Sequence, residues 1–239
     1  LPGRYGYEAG QAAVGDMLGW FVQLVAGARD GERYVELERE AALLRPGASG
    51  LLALDWWNGN RTILADADLS GVLSGLTLQT TSAEIYLALL ESIAFGNRRI
   101  VDNFEEHGLP LDQLVACGGI AEKSPLTMQL LADTSGRRVL VPGSTEIPAR
   151  GAALFGAVAA GPEAGGFSDI MAAIDALAPG TGATYEPEPA AVAVYDELYA
   201  LYRQLHDTLG RDQVELLHTL KRIREREAPR SREREAASL

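Results

Sequence analysis

The sequence is poor in the side chains that build redox and metal chemistry. Of 239 residues, one is cysteine (Cys117) and three are histidine. A single cysteine excludes an internal disulfide and points to a reducing compartment, the cytoplasm. His107, His206 and His218 are isolated from one another, so no His/Cys set has the spacing of a zinc site. Positive charge is also short. Lys and Arg number 21 against 33 Asp and Glu, a formal net charge of −12, which argues against a protein that follows a phosphate backbone. The deficit sits in residues 1–210, with 13 basic and 27 acidic side chains; residues 211–239 hold eight and six. No charge-free apolar run reaches the roughly 18 residues of a membrane span. The opening Leu1-Pro2-Gly3-Arg4 has neither an initiator methionine nor a signal-peptide core, and is read as the start of a cleaved or excised piece.

Hydrophobic residues are plentiful at 47%, and glycine is frequent at 26 residues, so a folded core with many tight turns is expected. The apolar pattern predicts a helix over 11–26, a polar excursion over 27–50 and a strand over 51–54 ending at an Asn58-Gly59 turn. A long helix follows, capped by Ser82 and stopped by Gly108-Leu109-Pro110. Leu111–Ala116 reads as a strand, Cys117 just after it as a buried strand residue, and Ser124-Pro125 opens a helix that Gly136 closes. A strand over 138–142 and helices over 148–160 and 168–177 complete an α/β layered unit. Glycines 10, 15 and 19 suggest close backbone contact along the first helix. Gly151, Ala152, Ala153 and Gly156 suggest a helix lying close on a sheet. After Pro179 an amphipathic helix runs from Pro187 to about Gly210, and a charged helix over 211–227 reads as a solvated arm or an interaction surface.

Ala116-Cys117-Gly118-Gly119-Ile120-Ala121-Glu122-Lys123-Ser124 is the most informative stretch. A strand ends, two glycines bend the chain and a helix begins. Bare backbone at Gly118 and Gly119 leaves room for a flat ring or a phosphate, and Lys123 adds charge. An ordinary turn explains the same residues, and neither the P-loop nor the GxGxxG spacing is present. Asp55, Asn58, Asn60, Arg61, Asp66 and Asp68 form a polar cluster without a calcium-loop pattern. Glu8, just before Gly10, is a candidate polar contact or a solvated carboxylate.

Taken in order, three motifs resemble the C-terminal, nucleotide-binding half of the FGGY carbohydrate kinases. Gly71-Val72-Leu73-Ser74-Gly75-Leu76 followed by Glu84-Ile85 and Ala88-Leu89-Leu90-Glu91 is similar to the family's second signature. Gly118-Gly119…Lys123-Ser124…Gln129…Ala132-Asp133…Gly136 resembles its adenosine motif, and Glu146…Ala149…Gly151-Ala152-Ala153 resembles the helix behind that site. Tyr5-Gly6-Tyr7-Glu8-Ala9-Gly10-Gln11 and the tryptophan-rich Asp55–Thr62 run are similar to the subgroup acting on the pentulose L-ribulose. The resemblance implies an incomplete actin/hexokinase-like (ribonuclease H-like) ATPase domain over 1–186, a helix packing on it over 187–210 and a charged tail over 211–239. It implies ATP or ADP as ligand, Mg²⁺ with the phosphates, and no protein metal site. Gly15, Gly118, Gly119, Lys123 and Ser124 are the implied nucleotide contacts, and Glu8 the implied sugar contact. The sugar-binding domain, the catalytic aspartate and a Gly-Thr-Ser phosphate hairpin are expected upstream of Leu1, so no catalytic residue is assigned in this chain and it is expected to be inactive alone. Another pentulose or polyol, or a non-catalytic nucleotide-sensing or assembly role, are the alternatives. A homodimer is left open; nucleic-acid and membrane partners are not expected.

Overall fold

The computed structural model describes Gly3 and residues 5–228. Nine α-helices and five short strands are mixed along these residues. Helix α1 (Val14–Ala26) buries Met17, Leu18, Phe21 and Val22, the one-turn spacing of a single face. Helix α2 (Gly31–Ala41) lies within the stretch expected to be an irregular excursion. Its signals are short but real: the Asp30 carboxylate accepts from the N–H groups of Glu32 and Arg33, and Leu37 and Ala41 face inward one turn apart.

Helix α3 (Ser82–Glu106) is the centre of the molecule. Every residue from Tyr86 to Gly96 is buried, so helices and strand surround it instead of leaving it a polar face. Helices α1 and α2, α5 (Pro125–Ser135) and strand β1 (Leu52–Leu54) pack on it. The cap is Thr81, not Ser82. Glu84 N–H donates to Thr81 Oγ1 and Thr81 N–H donates to Glu84 Oε2 at 2.7 Å, a reciprocal box that Ser82, one position later, cannot make.

The strands form two separate sheets. β1 pairs antiparallel with β2 (Val72–Ser74). β3 (Leu114–Val115) runs parallel to β4 (Val139–Pro142), and β5 (Thr181–Tyr185) lies antiparallel on the other side of β4. The β3–β4 crossover consists of α4 (Gly119–Lys123) and α5, as a parallel pair requires. The expected strand over 111–116 shrinks to two residues, and Cys117 is exposed beyond it, not buried within it. Helix α6 (Ile147–Ala160) buries none of its residues and packs on α7 (Ile170–Leu177); with nothing near Gly151 or Gly156, the expected close helix–sheet approach is absent.

Helix α8 (Pro189–Asp207) places Tyr195, Tyr199 and Tyr202 around Phe95 of α3, with ring centroids 5.4–6.1 Å apart. Each phenol is satisfied by a carboxylate: Tyr195 donates to Glu91 at 3.1 Å, Tyr199 to Asp102 at 2.6 Å and Tyr202 to Asp55 at 3.2 Å. A π-helical turn (Thr208–Asp212) leads into α9 (Val214–Glu227). This last helix is not a free arm. Leu217 is buried, His218 meets Asp66 at 2.7 Å and Lys221 meets Asp68 at 2.6 Å. The remainder of the charged tail, 229–239, lies outside the described residues.

Candidate functional site

The bend between β3 and α4 depends on Gly118, whose φ of 89° and ψ of −176° suit only a residue without a Cβ. Beyond it, Gly119 opens α4 with no atom within 4 Å of where a Cβ would stand. The bare surface faces a cavity of about 700 Å³, within the range of small-ligand sites.

Three walls enclose this cavity. Gly119, Ile120 and Lys123 of α4, with Ser124 and Thr127 at the start of α5, form one. Gly15 and Leu18 of α1 form the second. The third is α2, whose Gly31, Tyr34, Val35 and Glu38 repeat at three- and four-residue spacing and so present one stripe. Tyr86 of α3 closes the floor. Most of the lining is apolar, with a few convergent polar groups. Burial and then the charge of Glu38 push the Tyr86 phenol upward, and burial raises that of Tyr34 against the opposing pull of Arg29. Both remain neutral donors at physiological pH.

The polar groups are organised by Glu38. Ser124 Oγ donates to Glu38 Oε1 at 2.6 Å, and Tyr86 Oη donates to Glu38 Oε2 at 3.4 Å. Ser124 also caps α5 by accepting from the Thr127 N–H at 3.1 Å. Lys123 is exposed and makes no ion pair among the described residues. A second, polar hollow of about 240 Å³ shares Gly15, Gly31 and Tyr34 with the first and adds Asp16, Gly19, Arg29 and Asp30.

Four of the residues expected from sequence thus meet around one cavity: Gly15, Gly119, Lys123 and Ser124. Gly118 makes the bend and does not line it. The close contact expected along α1 holds only at Gly19, 3.1 Å from the Tyr34 hydroxyl as measured from a Cβ position; Gly15 faces open space, and Gly10 precedes the helix and lies against Arg61. Glu8 does not line the cavity either. It is exposed and paired with Arg61 at 2.6 Å, while Gly10 N–H donates to Thr62 Oγ1 at 3.1 Å and Gln11 Nε2 donates to Asp55 Oδ2 at 2.9 Å. These ties fasten the segment before α1 to the 55–62 turn. Burial raises the Asp55 carboxyl, opposed by its Gln11 and Tyr202 hydrogen bonds. Gln129 and Asp133 of the resembling motif serve the framework: Asp133 accepts from Gln129 at 2.9 Å and from the Glu188 N–H at 2.7 Å, holding the entrance of α8 on α5. Sequence reasoning missed Tyr34, Val35 and Glu38 because it missed α2; the Asp30 cap and the Tyr34, Leu37, Glu38, Ala41 spacing were the signal.

Known proteins share both sequence and architecture with this chain. The chain is 48% identical over 232 residues to a ribulokinase of Halalkalibacterium halodurans and 46% identical over 233 residues to one of Geobacillus thermodenitrificans, in each case over 94% of this chain and 41% of the relative. It therefore spans about two fifths of the length of these curated relatives. Among solved structures, xylulose kinase from Rhodospirillum rubrum superposes with a TM-score of 0.70 at 29% identity, over 85% of this chain and 39% of that one. The architecture is the actin/hexokinase-like α/β fold of these sugar kinases. Residues 1–160 match the C-terminal domain of the FGGY family of carbohydrate kinases, and the chain belongs to that family.

Proposed function

We propose that this chain is the nucleotide-holding half of an ATP-dependent kinase that phosphorylates L-ribulose, a step of L-arabinose breakdown. The observation that carries the reading is the meeting of Gly15, Gly119, Lys123 and Ser124 around one largely apolar cavity of about 700 Å³. The base of ATP enters against the bare backbone of Gly119 and Gly15, and Lys123 adds positive charge at the rim. Phosphoryl transfer needs an aligned acceptor and stabilised charge more than covalent chemistry from the protein. In this reading the sugar, the base that accepts its proton and the phosphate hairpin come from an N-terminal half, and Glu8 reaches the sugar from this side. Mg²⁺ arrives on the phosphates as part of the substrate; among the described residues no three His, Cys, Asp or Glu side chains gather to hold a metal. The 44–48% identity to proteins named ribulokinase favours L-ribulose over other pentuloses.

Two measurements test this. Titration of the chain with ATP is expected to give weak, millimolar binding, because most triphosphate contacts belong to the other half. Joining the chain to the N-terminal half of the Geobacillus thermodenitrificans ribulokinase is expected to give ATP-dependent phosphorylation of L-ribulose that the chain alone lacks. Turnover by the chain alone, or a preference of the joined protein for D-xylulose, refutes the corresponding part of the reading.

A further inference from the structure

The cavity contains one carboxylate whose hydrogen-bonding capacity is only half used. Glu38 lies on the α2 stripe with Gly31, Tyr34 and Val35, so its side chain shares a wall with an aromatic ring and an aliphatic group. A carboxylate can accept about four hydrogen bonds. Two are taken, by Ser124 Oγ at 2.6 Å and Tyr86 Oη at 3.4 Å. Both donors are themselves part of the cavity lining, Ser124 at the α5 cap and Tyr86 on the floor from α3, and they leave about half of the carboxylate's acceptor capacity open. The carboxylate makes no ion pair among the described residues, so it offers a ligand in the cavity a charged acceptor and no donor.

We propose that Glu38 reads the six-position of a purine and makes the cavity select adenine over 6-oxopurines. This assignment rests on the nucleotide reading above. Adenine presents an exocyclic N–H₂ donor at that position, whereas guanine and hypoxanthine present a carbonyl acceptor there and carry their donor at N1, so Glu38 discriminates by facing the exocyclic group. An acceptor set against a carboxylate leaves both desolvated and unpaired, which costs more than a lost contact. Tyr34, one turn before Glu38, supplies the flat apolar surface against which the ring lies. The selecting element is therefore α2, not the glycine bend, whose backbone accepts any flat ring.

The test compares ATP, purine riboside triphosphate and inosine triphosphate on the 239-residue chain by ligand-observed NMR, which reads millimolar affinities. ATP is expected to bind roughly tenfold more tightly than the inosine nucleotide, with the unsubstituted purine between them. In E38Q, which keeps an acceptor for Ser124 while adding a donor, ATP should weaken and the inosine nucleotide should tighten. Equal binding of ATP and inosine triphosphate by the unaltered chain overturns the assignment of Glu38 and leaves the nucleotide reading intact. Failure to bind any of the three sinks both. An equal loss for both nucleotides in E38Q makes Glu38 a scaffold for Ser124 and also overturns the proposal. Should E38Q not fold, the three-nucleotide series on the unaltered chain decides.

Discussion

Gln11 reaches Asp55 directly over Gly96. Its Nε2 donates to Asp55 Oδ2 and to the Ile93 carbonyl, both at 2.9 Å, and a Cβ on Gly96 would stand on the amide and about 3 Å from both carboxylate oxygens. The middle of the central helix is thus left bare so that the segment preceding α1 can lock onto the 55–62 turn. Gly96→Ala should cost about 2 kcal/mol despite the better helix propensity of alanine, because the buried carboxylate loses one of its two side-chain donors and keeps only Tyr202. Urea denaturation measures this; an unchanged midpoint would show that the lock is dispensable.

Gly15 predicts the opposite sign. It lies in the first turn of α1 with open space where a Cβ would be. Gly15→Ala should raise stability by about 0.5–1 kcal/mol through helix propensity and Gly15→Val should fill the cavity. Binding of ATP is expected to fall in the order glycine, alanine, valine while the melting temperature does not drop in the alanine variant. Parallel loss of stability and binding in the alanine variant would mean the position is structural.

Glu91 gives a pH dependence. Burial pushes its carboxyl up to about 7 against an ordinary 4.5, opposed by the Tyr195 hydrogen bond. The folded chain therefore keeps a proton that the unfolded chain releases, and stability falls as pH rises from about 4.5 to 7, by at most about 3 kcal/mol, then levels. Asp55 and Asp133, also raised by burial, add slope of the same sign. His206, lowered by burial, acts oppositely, since its neutral folded form is lost as pH falls. The difference in unfolding free energy between the unaltered chain and Glu91→Gln, measured from pH 5 to 8, isolates the Glu91 part. A flat difference contradicts it.

Glu8 and Arg61 form an ion pair in which both side chains are mostly exposed, so either can be replaced with less than about 1 kcal/mol lost. In the joined kinase, Glu8→Gln is expected to raise the KM for L-ribulose several-fold and leave that for ATP unchanged. A change in the ATP value alone would remove Glu8 from the sugar side.

The molecule was legible in sequence where periodicity is long. The 25-residue α3, the tyrosine-bearing α8 and the capped α5 all emerge from apolar spacing and stop signals. Strand β1 emerges within a residue of the expected 51–54, but β2 is unexpected and β3 shrinks from the expected 111–116 to two residues, because pairing partners, not local pattern, decide where such short segments form and end. Helix α2 was obscured by its charge: only Leu37 and Ala41 are fully buried among eleven residues. The glycine bend was readable as a bend, and its resemblance to a known motif suggested the ligand proposed above. Glu38 was not readable, since it meets Ser124 across 86 positions of sequence.

Helix α9 returns across the molecule to hold Asp66 and Asp68 with His218 and Lys221, while Leu217 inserts into the main core. The two aspartates follow directly on the turn that receives Glu8 and Gln11. Trimming the chain before Val214 would therefore strip the outer brace from the loop that fastens Glu8, so under the function proposed above a shortened chain would weaken acceptor binding before it disturbed the cavity beside Gly119.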